Sequence, residues 1–585
     1  MRILKDAGNI KLPKDDVNKF FVQAWHSLIH HKSLDSHRAR CMNSLNIIRE
    51  LQELISRRDR LKTAEKDIAL VAEEALDILK SDMVIKRSFQ DHINRLTELL
   101  ENEIKKKGKQ GKEKTTESRL LTYYLKDLRN NLGKKYQDFL FSELDTAIFQ
   151  KRDTEEIFSL TRTLLSVLMD KSHSMEALFS IVGHVLCGAG DETFRNRFSR
   201  LKSILSQGDV DYEIIFKLAS FKKYTDNMSE LGGITFSAAL EIESQYPKIK
   251  KFAAKGLNTV FARIEANGLD TQSAGVQAKQ KLDNLLDLIR FELEGNVIKV
   301  DERFIARKKH NDVDNTLYRL PSRIPNPSRN LNDETFLGFL NNVEYTLEGA
   351  EIQAESRKKI TSAFRFYRMG RDTPQYENKF INWWTALEYL LRTGESGSII
   401  VEIERKLTSA LLLEYTSKHL KSYISACAYC GADMGGAWIS PADFFDLIHD
   451  TARWNDIKKK IDKYPFLLFS LEKFQKHTKD AQSILTFLKT HENHLRWHIN
   501  RLWRMRCDIV HSAEYSINLT LLSGNLEYYL KTLLNMLLES LRANPLITSL
   551  TELFIRIDHS ANRLKKSLKS DDQTFFKDLL KEIKI

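Results

Sequence analysis

A chain of 585 residues is longer than one hydrophobic core usually serves, which sets an expectation of two to four domains. Hydrophobic residues at 42% and charged residues at 29% are those of an ordinary globular protein, and only 9 prolines favour long helices over a loop-rich β architecture. Lys and Arg outnumber Asp and Glu by 91 to 79, and a formal charge of +12 suits a polyanion such as RNA, although over so large a surface the excess is modest.

Met1-Arg2-Ile3-Leu4-Lys5-Asp6 carries charges where a signal peptide needs its apolar run. No segment approaches the ~20 apolar residues of a membrane span. The expectation is a soluble protein that engages no membrane. Five cysteines (Cys41, Cys187, Cys427, Cys430 and Cys507) are few, odd in number and mostly far apart. That usage predicts a reducing, cytoplasmic compartment without a disulfide framework.

Residues 1–207 read as an N-terminal helical region, helical in pattern from about residue 15. Ile47, Ile48, Leu51, Leu54 and Ile55 form one apolar stripe, and Leu121, Tyr124, Leu125 and Leu128 another. The run Lys105-Lys106-Lys107-Gly108-Lys109-Gln110-Gly111-Lys112 lacks apolar residues and reads as a solvated loop. Residues 208–312 change texture and predict a small α/β module. Tyr212–Leu218 and the alternating Asn258–Ala266 are strand candidates. A helix follows from about Ser273, with Ala274, Val276, Leu282, Leu285, Leu286 and Ile289 on its apolar side. Asn296–Val300 and Arg303–Arg307 look like two further short strands.

Pro321, Pro325 and Pro327 crowd into seven residues, which neither a helix nor a central strand can cross. Residues 313–330 are therefore expected to link domains. The pattern is helical afterwards, giving a domain over 331–560 and a basic helical tail over 561–585. The fold class is mainly α, a helical multidomain protein with a small central α/β module.

One helix, over roughly 493–511, stands out. Leu495, Ile499, Leu502, Met505 and Ile509 mark its apolar stripe, and Arg506 falls about 40° from Leu502, inside that stripe. A guanidinium among core positions is costly unless it is paired or lines a polar site. His511, five residues on, sits about 140° away on an ideal helix. The two side chains converge only if the helix ends or distorts near Val510, or if the site combines two subunits.

The Arg506-x4-His511 spacing, within Trp503-Arg504-Met505-Arg506-Cys507-Asp508-Ile509-Val510-His511, resembles the active-site motif of HEPN ribonucleases. It is preceded by Phe364–Gly370, Lys379–Leu391, Ile403–Leu407 and Ala410–Leu413. This succession, over about residues 335–560, is similar to the Apea-like branch of the HEPN superfamily, found in prokaryotic antiphage defence proteins. The resemblance implies an all-helical C-terminal domain, a homodimer with its motifs along a shared cleft, and an endoribonuclease that needs no cofactor or metal. It further implies an RNA substrate, cleavage to 2′,3′-cyclic phosphate and 5′-hydroxyl ends, and a phage-derived trigger or regulatory partner acting through the N-terminal region.

The chemistry suits the residue types. A histidine near its working pKa can take the ribose 2′-hydroxyl proton, and an arginine fork can hold two phosphoryl oxygens. Asp508, three residues before His511, is placed to hydrogen-bond its ring. Cys507 departs from the family, which usually has a polar residue, often asparagine, after the arginine. Glu388 matches a favoured family position and reads as a structural partner of Arg506. The structural alternative is a buried ion pair for Arg506 and a helix cap for His511, in a non-catalytic RNA-binding or scaffold protein.

Other patterns are weaker. Cys427-x2-Cys430 is half a zinc site, more simply structural thiols. His491, His494 and His498 share one helix face, read as polar surface rather than metal ligands. Of Trp383 and Trp384, at least one belongs to the core. No GxxxxGK[ST], HExxH or GxSxG motif occurs.

Overall fold

Alternation of apolar and polar residues in β1 (Val210–Ala219) builds a sheet with two unlike faces. In the computed structural model β1 is flanked by β4 (Thr259–Gly268) and β5 (Lys299–Lys308) in a six-stranded antiparallel sheet. Its order is β2-β3-β4-β1-β5-β6, completed by β2 (Glu230–Leu231), β3 (Ile234–Ser237) and β6 (Thr316–Arg319). Ile214, Phe216 and Phe304 face the helix Thr271–Glu292, which lays Ala274, Ala278, Leu282 and Leu286 on them. Ile215, Phe261 and Ile305 face the other way, towards Ile249 and Phe252 of the short helix Pro247–Ala253.

The structure describes residues 3–581 except 9, 32–41, 62–64, 106–115, 189–191, 220–228, 243–245, 255, 257, 293–297, 310–315, 321–332, 350, 394–397, 433–438 and 513–518. Most of the Lys105–Lys112 run, Cys41 and the proline-rich stretch after Leu320 thus lie outside the described residues. Internal contacts divide the chain into two compact units. One comprises Met1–Ala7, Leu12–Val167 and Pro325–Ile585, and the other Gly8–Lys11 and Leu168–Ile324.

The smaller unit contains the sheet together with helices Met175–Ile181 and Phe194–Leu205. Asp270 ties it together at the start of the long helix. Its carboxylate accepts hydrogen bonds from the Ser174 amide, the Ser174 hydroxyl and the Ser273 amide, each at 2.8 Å. Burial would raise its pKa, but these bonds and the nearby His173 hold it below the ordinary carboxylate value.

Several local expectations are corrected here. Of the two short strands expected over 296–307, residues 296 and 297 lie outside the described residues and 299–307 belong to one strand, β5. The edge strand β6, Thr316–Arg319, lies where a linker was expected. Val276, expected on the apolar side of its helix, is 43% exposed.

The larger unit is helical throughout its described residues. Near the N-terminus, helices Ser44–Leu61 and Glu65–Ser81 pack on each other. The first also packs on Thr116–Leu132, and its Ile47, Ile48, Leu51 and Leu54 are all buried. Towards the C-terminus, Tyr376–Leu391, Ile399–Tyr429, Pro465–His477 and Leu550–Lys569 pack on the helix Ala481–Ser512, hereafter the motif helix, and Leu519–Ala543 reaches it through Asn525 and Tyr529. It is longer than the expected 493–511 because its apolar stripe continues backwards through Ile484, Leu485 and Leu488. The helix Leu550–Lys569 runs without a break across residue 560.

Candidate functional site

Arg506 and His511 both lie on the motif helix, which continues unbroken through Ser512. Neither an end nor a distortion at Val510 brings them together, so on ideal geometry they point about 140° apart. His511 is exposed and Arg506 half-buried. The Arg506 guanidinium lies 5.5 Å from the centre of the Trp503 ring, a cation–π distance. Trp503 in turn packs against Trp384 of helix Tyr376–Leu391, with centroids 5.7 Å apart.

Arg506 forms no ion pair among the described residues, which sets it apart from its neighbours. Arg501 meets Glu50 at 2.9 Å and Glu74 at 2.5 Å, and Arg504 meets Glu50 at 2.5 Å. Burial would lower the pKa of Arg501; the two carboxylates more than reverse this and raise it. Arg496 meets Glu404 at 3.2 Å, and Glu404 also accepts from Asn500 at 2.7 Å.

The supporting residues are placed differently from expectation. Asp508 makes no hydrogen bond to His511; its carboxylate meets Arg57 of helix Ser44–Leu61 at 3.2 Å. Glu388 is half-buried one turn from Trp384 and does not pair with Arg506. Cys507 is half-buried, and burial raises its thiol pKa, aided by Asp508 and Asp67 and opposed by the Arg506 charge. A protonated thiol there is a weak donor and no substitute for an amide.

Other candidates resolve into packing. Trp383 and Trp384 are both buried, so neither offers a face to a base. His498 is fully buried between Tyr529 and Asn525, at 3.1 and 3.3 Å, which corrects its reading as polar surface. His491 stacks on Tyr415 with centroids 3.4 Å apart. Burial pushes the Cys427 thiol up to about 12 and Cys430 to about 11, which disfavours the thiolate a metal would bind. No group of three metal-ligating side chains occurs among the described residues. Nor is any described helix long and apolar enough to cross a membrane.

Sequence reasoning missed Glu50, Glu74 and Arg57 as partners of the motif helix. The only signal was indirect: arginines this close to core positions need acids from somewhere. Comparison with protein-family models, with curated proteins and with solved structures finds no match to this chain.

Proposed function

We propose that this protein is a HEPN-type, metal-independent endoribonuclease that works as a homodimer in antiphage defence. The observation that carries the reading is that Arg506, alone among the arginines of its helix, forms no ion pair among the described residues. Among the arginines from 496 to 506, the others meet glutamates in ion pairs, and this one lies against an aromatic face. An unpaired guanidinium beside a ring is suited to a phosphate. His511 is exposed and accessible to a ribose hydroxyl.

In this reading His511 removes the 2′-hydroxyl proton and the 2′-oxygen attacks the adjacent phosphorus. The P–O5′ bond breaks, and the departing oxygen takes a proton from solvent. Arg506 stabilises the charge gathering on the phosphoryl oxygens. Because the two side chains diverge on one helix, the arrangement calls for two copies, each bringing its motif helix to a common cleft. A phage-derived trigger acting through the N-terminal region belongs to the same proposal, as does a cytoplasmic setting.

A second reading, an RNA-binding protein without cleavage, is favoured by Asp508, whose carboxylate engages Arg57 rather than orienting His511. The two are separated by incubating wild type, Arg506→Ala and His511→Ala with RNA in EDTA and mapping the product ends. Catalysis predicts cyclic-phosphate ends from wild type and a loss of about 10²–10³-fold in each variant. Equal cleavage by all three proteins would sink the assignment. RNA binding by a wild type that leaves no cyclic phosphate, with phage-infected extract present, would select the second reading.

A further inference from the structure

Ideal helix geometry places Trp497, Arg501, Arg504 and Asp508 within about 60° of arc, a strip rising over about three turns. All four meet the N-terminal helix pair. Trp497 donates to Glu73 at 3.5 Å, Arg501 is held by Glu50 and Glu74, Arg504 by Glu50, and Asp508 by Arg57. His511 falls about 20° beyond Arg504 on this strip, one turn past the last of these contacts. The face that carries His511 is therefore cationic at Arg501 and Arg504, and carboxylates cover both guanidiniums.

The cover combines packing of helix Glu65–Ser81 on the motif helix with the ion pairs. Helix Ser44–Leu61 packs on Glu65–Ser81 and Thr116–Leu132, and reaches the motif helix through Glu50 and Arg57. Arg504 also keeps a buried Nη1 without a hydrogen-bond partner. Carboxylate and phosphate present similar oxygen pairs to a guanidinium fork, so one can replace the other without stranding a charge.

We propose that Glu50 and Glu74 occupy the places of RNA phosphates. When the N-terminal helix pair lifts away, Arg501, Arg504 and His511 become a track for single-stranded RNA. The inference takes its ligand from the RNA reading above but does not depend on cleavage. Bound RNA and the helix pair compete for the same guanidiniums.

The test uses the full chain and a labelled oligouridylate, titrated over a range of salt. Glu50→Gln removes the ion pair of Arg504, leaving it the weaker charge interaction with Asp67, while Arg501 retains Glu74. The log–log salt slope is therefore expected to steepen by up to about 0.7, one phosphate's worth on a single strand. Adding Arg504→Gln should return the slope to the wild-type value, whereas Arg504→Gln alone should leave it unchanged. An unchanged slope in folded Glu50→Gln protein, or a flatter one in Arg504→Gln alone, overturns the proposal. Wild type provides a check that needs no variant to fold: oligouridylate should speed amide hydrogen exchange in helix Ser44–Leu61. No acceleration, or acceleration by polyglutamate and not by RNA, also overturns it, the latter assigning the strip to an acidic protein. If the slope steepens and no RNA is cut, the nuclease assignment falls and the competition stands. Cleavage with a fixed slope gives the reverse.

Discussion

Arg501 and Glu74 meet at 2.5 Å with side chains only 9% and 2% exposed, an ion pair almost withdrawn from water. Such a pair offers little net stability over an apolar match, yet removing one member strands the other. Glu74→Leu should therefore cost about 3 kcal/mol, since Glu50 still compensates Arg501 in part. Glu74→Leu with Arg501→Met should recover most of the loss. Urea unfolding of the three proteins measures this, and equal stability of the single and double variants would show that the two charges are not coupled.

Asp270 supplies a pH-dependent contribution in the smaller unit. Its folded pKa is depressed, so its stabilisation is complete above the unfolded value of about 3.8 and is lost as pH falls through the folded one. Asp270→Asn should lower stability near neutrality by about 1.5–3 kcal/mol, the worth of hydrogen bonds to a charged group. The gap from wild type should close as the pH drops below about 3.8. A gap that stays constant down to acid pH would place the effect in packing.

Gly275 sits where the helix Thr271–Glu292 crosses Phe304, and a Cβ there would lie 2.4 Å from the ring. Gly275→Ala ought to gain about 1 kcal/mol of helix propensity. Overpacking against a fully buried phenylalanine should outweigh it, for a net loss of about 1–2 kcal/mol. Thermal melts decide the sign, and a rise in melting temperature would mean that the sheet yields.

The divergence of Arg506 and His511 on one unbroken helix can be tested by mixing. If the centre combines two copies, Arg506→Ala and His511→Ala proteins, each inactive alone, should regain up to about a quarter to half of wild-type cleavage after co-expression. Tandem purification on two different tags isolates the mixed species. Activity in neither mixed nor single-variant species, with the wild type active, would show that each copy needs both of its own residues.

Much of the fold was legible in the sequence because it rests on periodicity. The stripes Ile47–Ile55 and Leu495–Met505 and the alternation in β1 and β4 report burial directly. The short strands β2, β3 and β6 were not visible, since two to four residues carry no period. Within the candidate site, Arg506 stood out as a charge in an apolar stripe, and among the described residues it forms no ion pair. Its expected partner Glu388 and the expected Asp508–His511 bond did not form. Periodicity shows that a helix face is buried and is silent about which distant helix buries it.

The larger unit is interrupted in sequence by the smaller one, and Glu50 is separated from Arg501 by 451 positions. Helices Ser44–Leu61 and Glu65–Ser81 therefore leave the ribosome long before the cations of the motif helix that they will hold. Elongation at about 5–20 residues per second delays the motif helix by tens of seconds. A nascent chain that stops before residue 501 carries Glu50 and Glu74 without the arginines they meet, and when the motif helix does emerge both acids have already been synthesised.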